Sequence, residues 1–216
     1  GVSRGLGDVY KRQIMHDANI SIITIDSEEG LEIMRHTLAA QVLARAVKNL
    51  YPKSKLAIGP TIKDGFYYDV ECKETISIDD LKKIEKEMDK IVKTKSSITK
   101  KLLSKKDALK VFKDKDESYK EEIINDSDQE DEFQLYYQDD EDFVDLCKGP
   151  HLPNLNFIGA YKLTTISGAY WKGDSSNTML TRIYGTAWSN EKDLNDHLNN
   201  IEAVSYTHLT LPTKEE

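Results

Sequence analysis

The chain has 216 residues, of which 38% are hydrophobic and 31% charged, and its formal net charge is −8. This length favours one domain with a single core, and no apolar run or leader predicts a membrane span or secretion, so we expect a cytoplasmic protein. Two cysteines far apart in the chain argue against a disulfide framework and against a four-thiolate zinc site.

The negative net charge also restricts the possible partners, because the electrostatic field of the whole protein would repel a polyanion. A nucleic acid would therefore have to bind a local patch of positive charge. The one candidate holds nine lysines between Lys93 and Lys115. A solvated helix face explains these lysines as well as a phosphate contact does.

Both ends of the chain lack the periodicity of their neighbours. Residues 1–13 and residues 204–216 resemble translated sequencing-adapter tails, and we expect neither to belong to the fold. A β-branched run over residues 20–25 predicts a short strand. A helix is predicted over residues 28–50, with a polar cap and an acidic first turn before it and Pro52 after it.

The middle of the chain predicts a β-hairpin and two further helices. Asp64-Gly65 is a turn signal, and the aromatic run after it predicts a strand in which Phe66 and Tyr68 share one face. A capped helix to residue 93 has one apolar face, formed by Leu81, Ile84, Met88 and Ile91. A short helix over residues 105–112 follows a lysine-rich connection.

The remaining elements are mostly strands. The predicted order is a strand near residues 133–137 between acidic loops, a strand over 157–163, a glycine-punctuated loop over 168–177, a strand over 179–188 and a closing helix over 190–203. The pattern has no regular alternation of strands and helices. It therefore predicts an α+β fold with a mainly antiparallel sheet and flanking helices.

The stretch Asp145-Leu146-Cys147-Lys148-Gly149-Pro150-His151 carries the chemistry. It places a carboxylate, a thiol and an imidazole within seven residues. The Gly-Pro pair predicts a turn that brings Cys147 and His151 toward one another. The alternative is a structural cysteine at the end of a strand, with a histidine that happens to follow the turn.

Five motifs in one order resemble the editing domain of bacterial threonyl-tRNA synthetases. They are Arg35-His36, Ile58-Gly59-Pro60 with the hairpin to Asp69, the stretch 145–151, the loop 168–174 and the strand 182–188. The resemblance covers residues 18–203. It implies an editing domain over 27–203, the end of a preceding ubiquitin-like domain or linker over 14–26, and a fragment that lacks the aminoacylation core.

The resemblance also implies a function. Serine lacks one methyl group of threonine, which a binding site distinguishes by only about 1–3 kcal/mol, so a second site must hydrolyse mischarged seryl-tRNA(Thr). The parent enzyme would attach threonine to tRNA using ATP. The implied partners are the serine-carrying 3′ end of tRNA(Thr), the rest of the synthetase chain and a second subunit of a homodimer, with no membrane.

Site residues follow from the family's editing positions. The implied catalytic residues are His36, Lys120, Asp145, Cys147 and His151. The implied substrate-binding residues are Gln41, Tyr170, Asp174 and Arg182. We expect Lys120 and His36 to handle the water and the leaving group while Asp145 and His151 orient them, and Cys147 to line the pocket, because no feature of the sequence stabilises its thiolate.

One departure concerns the helix that carries His36. The family has a His-x-x-x-His pair there, whereas this chain has Ala40 four residues after His36. The chain is also one residue longer before Pro52, so Gln41 is the candidate for the second position if the extra residue lies before it. Three weak candidate ligands then remain, whereas a structural zinc site takes four; they are His36, Cys147 and His151. We therefore expect that editing needs no cofactor. Zinc and ATP are expected only in the synthetase core. The alternatives are a zinc-bound alanyl-tRNA-type trans-editing protein and a non-catalytic tRNA-binding remnant.

Overall fold

The structure, a computed structural model, describes residues 22–139 and 143–209. Its helices are α1 (Glu28–Thr37), α2 (Ala44–Leu50), α3 (Leu81–Lys93), α4 (Lys105–Asp114), α5 (Ser118–Asn125) and α6 (Glu191–Leu209), with a π-helical segment (Leu38–Leu43) between α1 and α2. Its strands are β1 (Lys55–Leu56), β2 (Thr61–Ile62), β3 (Gly65–Glu71), β4 (Ile98–Leu103), β5 (Phe133–Gln138), β6 (Phe143–Leu146), β7 (Ala160–Tyr170) and β8 (Met179–Trp188). No helix in this part of the chain is long and apolar enough to cross a membrane.

The strands form two antiparallel sheets. The larger sheet has the order β1-β3-β8-β7 with β2 paired to β3, and the smaller has the order β4-β5-β6. Every pairing between these strands is antiparallel, which confirms the predicted α+β class. The two sheets bring residues that lie far apart in sequence to one place, which is where the site is found.

The predicted hairpin and the predicted apolar helix are both confirmed. β2 and β3 pair across the Asp64-Gly65 turn. In α3, the four predicted apolar residues are buried against the larger sheet. A reciprocal pair of hydrogen bonds between Ser77 and Asp80 caps the preceding turn, as the sequence pattern indicates.

The first predicted helix has the expected limits but a different interior. Ser27 caps α1 through its hydroxyl, and the helical path continues to Leu50. Its middle, the π-helical segment, has wider turns than an α-helix. A π-segment accommodates an extra residue within a helix, and the sequence has its extra residue in this region.

Four predictions of secondary structure were wrong in part. Residues 22–25 form no strand, and the rest of that prediction lies outside the described residues. The lysine-rich connection contains β4, whose exposed lysines suit the edge of a sheet. Residues 155–157 form a 3₁₀ turn, so the strand begins only at Ala160. β7 continues through Gly168, because glycine has no side chain that would collide with Met179 on the paired strand.

Two further differences concern helices. The sequence did not predict α5, which carries Lys120. α6 continues past residue 203 to Leu209, into the segment interpreted as a tail. Residues 1–13 and 210–216 lie outside the part of the chain that the structure describes. The lysines between 93 and 115 are divided among α3, β4 and α4, so they do not form one helix face.

Two cores meet at the site. The larger core packs α1, the π-helical segment, α2 and α3 against the larger sheet. The smaller core packs α4 and α5 against the smaller sheet, through Phe112, Ile124 and Leu135 among others. Because α5 and β6 belong to the smaller core while α1 and β3 belong to the larger, side chains from both cores converge at their boundary.

Candidate functional site

A cavity of about 640 Å³ lies at this boundary. Its lining includes four of the five predicted catalytic residues, His36, Lys120, Asp145 and Cys147. The fifth, His151, lies behind them and contacts both Cys147 and His36. The structure therefore brings together all five residues, although they come from α1, α5, β6 and the turn after β6.

A buried ion pair forms the inner wall of the cavity. Lys120 Nζ lies 2.5 Å from Asp145 Oδ1, and their side chains are 2% and 1% exposed. Tyr68 completes the arrangement, since it accepts a hydrogen bond from Lys120 Nζ (3.1 Å) and donates one to Asp145 Oδ2 (2.9 Å). Burial raises the pKa of Tyr68 well above its usual value, so the phenol keeps its proton. These contacts fix the position of the ammonium group.

Sequence reasoning missed Tyr68 as a functional residue. The alternation of the aromatic run correctly placed it on the buried face of β3 with Phe66. A tyrosine on a buried strand face needs a partner for its hydroxyl, and this requirement was the available signal. The sequence could not identify the partner, because Asp145 is 77 residues away in the chain.

Local structure explains how Lys120 reaches this position. It lies in the first turn of α5, where its backbone N–H donates to the Glu117 carbonyl. Glu117 is itself anchored, since its carboxylate accepts from the Leu56 N–H (2.7 Å) and lies 2.6 Å from Lys48 Nζ. Burial nevertheless raises the pKa of Glu117. The start of α5 is thus tied to β1 and α2, which aims Lys120 across the cavity.

The turn after β6 confirms the predicted approach of Cys147 and His151. Cys147 Sγ lies 2.8 Å from His151 Nε2 and accepts a hydrogen bond from the Gly149 N–H (3.3 Å). Gly149 has φ +64°, and a side chain there would collide with the Tyr136 hydroxyl. Glycine is therefore required at this position for both reasons.

Both members of the Cys147 and His151 pair are neutral. Burial and, to a smaller extent, the carboxylate of Asp145 raise the pKa of Cys147 to about 12. Burial also lowers the pKa of His151 well below its usual value. At neutral pH the contact is therefore a thiol beside a neutral imidazole, and the sulfur is not prepared for nucleophilic attack.

His36 covers His151 and faces the cavity. The two imidazole rings stack with centroids 4.6 Å apart and planes 8° from parallel. Burial lowers the pKa of His36, although Asp145 opposes the shift. His36 is thus a neutral imidazole at pH 7, and it also lines a second, adjoining cavity of about 380 Å³. A neutral imidazole at this place can accept a proton.

The lining of this cavity does not include the four predicted substrate-binding residues, and their role in binding stays a prediction. Gln41 is fully buried, and its backbone and side-chain oxygens accept from Gln138. Ala40 lines the cavity instead. The π-helical segment absorbs the extra residue within the helix, so Gln41 does not take the second position on the cavity side.

The other three lie in or beside β7 and β8. Arg182 makes a two-pronged ion pair with Asp69, at 2.7 Å for each contact, and stacks over Tyr67. Tyr170 is exposed at the end of β7. Asp174 accepts hydrogen bonds from Ser176 in the exposed turn. Arg182 and Asp174 are occupied in local structure, and none of the three lines the cavity.

His36, Cys147 and His151 form the one candidate metal cluster among the described residues. Their ligand atoms lie within 4.8 Å of one another. A tetrahedral zinc ion with bonds of about 2.3 Å to sulfur and about 2.0 Å to nitrogen would separate Sγ and Nε2 by about 3.5 Å, but they are 2.8 Å apart. The fourth position on the helix side is Ala40, which has no donor atom. The arrangement suits a hydrogen bond and does not fit zinc.

We therefore expect purified protein to retain less than about 0.1 zinc per chain, because Cys147 Sγ and His151 Nε2 lie closer together than two ligands of one tetrahedral zinc ion. Elemental analysis after dialysis measures this directly, and Cys147→Ala is the matched variant. Close to one zinc per chain, lost in Cys147→Ala, would contradict the expectation. It would also support the zinc-bound alternative.

Comparison with known proteins agrees with the resemblance. Residues 134–184 match the family described as the threonyl and alanyl tRNA synthetase second additional domain. This segment contains β5, β6, the Cys147 turn and β7. The chain is 50% identical over 192 residues to the threonine–tRNA ligase of Francisella philomiragia, a match that covers 89% of the chain and 30% of that protein.

Two further relatives have the same name. The threonine–tRNA ligase of Prochlorococcus marinus is 46% identical over 189 residues, which is 88% of the chain and 29% of that protein. The enzyme of Ruthia magnifica is 47% identical over 192 residues, which is 89% of the chain and 30% of that protein. The chain thus spans about a third or less of the length of the relatives it matches.

Proposed function

We propose that this chain, of which residues 134–184 match the second additional domain of threonyl and alanyl tRNA synthetases, hydrolyses the ester of mischarged seryl-tRNA(Thr). The parent protein would be a threonine–tRNA ligase that attaches threonine to tRNA with ATP. The observation that carries the proposal is the buried Lys120 and Asp145 pair on the wall of a cavity that also receives His36.

Hydrolysis of an aminoacyl ester needs three things. A base removes a proton from water, a positive group stabilises the oxyanion, and a donor protonates the departing ribose hydroxyl. His36 is neutral and can serve as the base. Lys120 supplies the positive charge and the donor, while Asp145 and Tyr68 hold it in place.

Cys147 and His151 support this arrangement from behind. His151 provides the flat surface on which His36 stacks. The neutral Cys147 thiol lines the cavity next to Asp145. In this mechanism water attacks the ester directly, no covalent intermediate forms on sulfur, and no cofactor takes part.

The proposal includes the partners and the location of the parent protein. The ligand of the cavity would be the serine-carrying 3′ end of tRNA(Thr). The parent would be a cytoplasmic homodimer in which the rest of the synthetase chain accompanies this domain. The net charge of −8 means that tRNA would be bound mainly through local contacts.

The direct test measures hydrolysis of seryl-tRNA(Thr) and threonyl-tRNA(Thr) by the purified chain. We expect the seryl ester to be hydrolysed at least about tenfold faster, because an editing site accepts the smaller side chain and excludes the one with the extra methyl group. Equal hydrolysis of both esters would contradict the editing function. Binding of tRNA without hydrolysis would instead support the alternative of a non-catalytic tRNA-binding remnant. That alternative is considered because Ala40 stands where the family has its second histidine.

A further inference from the structure

Thr37 is a buried residue next to the site, and its hydroxyl makes three hydrogen-bond contacts. It is the last residue of α1 and has no solvent exposure. Its Oγ1 lies 2.8 Å from the Ile33 carbonyl oxygen, 3.0 Å from the Leu152 N–H and 3.1 Å from Nδ1 of His151. No sequence pattern assigns a role to Thr37.

The proton of this hydroxyl can be assigned by counting donors and acceptors. A hydroxyl has one proton and two acceptor lone pairs. The Ile33 carbonyl can only accept, so at 2.8 Å the Thr37 proton belongs to that contact. The Leu152 N–H can only donate, which uses one lone pair. The second lone pair faces Nδ1 of His151, so Nδ1 must carry a hydrogen.

The same reasoning gives the position of the thiol hydrogen of Cys147. A neutral imidazole with its hydrogen on Nδ1 has a bare Nε2, which can only accept. Nε2 lies 2.8 Å from Cys147 Sγ, so the thiol hydrogen points at the ring and away from the cavity. The Gly149 N–H donates to the same sulfur. The hydrogen bonds therefore run in one direction, from Gly149 through Cys147, His151 and Thr37 to Ile33.

We propose that Thr37 is a positioning residue that fixes the tautomer and the ring plane of His151. Through His151 it holds the thiol hydrogen of Cys147 out of the cavity and supports the face on which His36 stacks. The inference deepens the proposed function, because the imidazole of His36 is the group that would accept the proton from water. It predicts a property of the protein that does not depend on catalysis.

The test is the tautomer of His151, read from ring ¹⁵N chemical shifts at neutral pH and assigned with His151→Asn. We expect the Nδ1–H form in the unmodified protein and in Thr37→Ser, which keeps the hydroxyl. In Thr37→Val, which has nearly the same shape without a hydroxyl, we expect the Nε2–H form to gain population. An Nε2–H signal for His151 in the unmodified protein, or no change in Thr37→Val, would overturn the proposal.

Kinetics give the second readout. If the chain hydrolyses seryl-tRNA, Thr37→Val should lower kcat by about tenfold with little change in KM, and Thr37→Ser should restore it, as expected for a group that orients an acid–base residue. Equal losses in the serine and valine variants would overturn the proposal. If no ester is hydrolysed by the unmodified protein, the proposed function fails, while the tautomer measurement still decides the role of Thr37.

Discussion

Lys120→Met is expected to lower hydrolysis of seryl-tRNA by about 10²–10⁴-fold, the usual contribution of a positioned proton donor. Methionine has a similar length but no charge, so it removes the ammonium group while filling most of its space. The same substitution leaves the buried carboxylate of Asp145 without its charged partner, which typically costs about 3–5 kcal/mol of folding free energy. Rates and urea unfolding curves should therefore be measured on the same preparations.

A second variant separates the two effects. Lys120→Met combined with Asp145→Asn removes both charges, so part of the lost stability should return while hydrolysis stays low. Lys90→Met is the matched control, because Lys90 is an exposed lysine whose pair with Glu87 lies on α3. Recovery of hydrolysis in the double variant would assign Lys120 to stability alone. Full activity of folded Lys120→Met would remove the proposed mechanism.

The local parts of the fold could be predicted because their signals are local. The turn at Asp64-Gly65, the cap at Ser77 and the Gly149-Pro150 turn depend on a few adjacent residues. The structure confirms each of them. β4 and α5 were missed because at least half of the residues of each are polar, and their places in the fold depend on packing against β5 and α4.

Contacts within the site could be predicted only where the residues lie close together in the chain. Cys147 and His151 could be paired from the sequence, since they are four residues apart. Lys120 was found through the family resemblance, because no local pattern identifies it. Gln41 does not line the cavity, since a count of four residues along the helix assumes regular α-helical turns and the helix contains a π-segment. Contacts between distant residues, such as Tyr68 with Asp145, have no periodicity to reveal them.

The pH dependence of stability follows from the two partly buried imidazoles of His36 and His151. Burial lowers the pKa of His36 and of His151 in the folded protein. The unfolded chain therefore binds more protons than the folded one between those values and about 6.5, the ordinary histidine pKa. Stability is thus fully present above about pH 6.5 and falls as the pH decreases below it. Because its pKa is lowered, the imidazole of His36 is neutral at pH 7. The proposed reaction needs a neutral imidazole that can accept a proton from water.

His36→Ala is expected to lower hydrolysis by about 10²–10⁴-fold if the imidazole accepts a proton from water. Removing the ring also removes its stacking contact with His151, but Pro60 and Lys148 still line the cavities beside it. The unmodified protein should lose kcat as the pH falls below the lowered pKa of His36. The residual activity of His36→Ala should lack this acidic limb.

Cys147→Ala is the matched control for His36→Ala, since it changes the neighbouring wall without removing an acid–base group. Its neutral thiol donates toward His151 and does not react, so we expect a loss well below that of His36→Ala. The measurement is kcat for seryl-tRNA hydrolysis from pH 5 to pH 8 with all three proteins. A larger loss in Cys147→Ala than in His36→Ala would assign the chemistry to sulfur. An acidic limb that persists in His36→Ala would assign the titrating group to another residue.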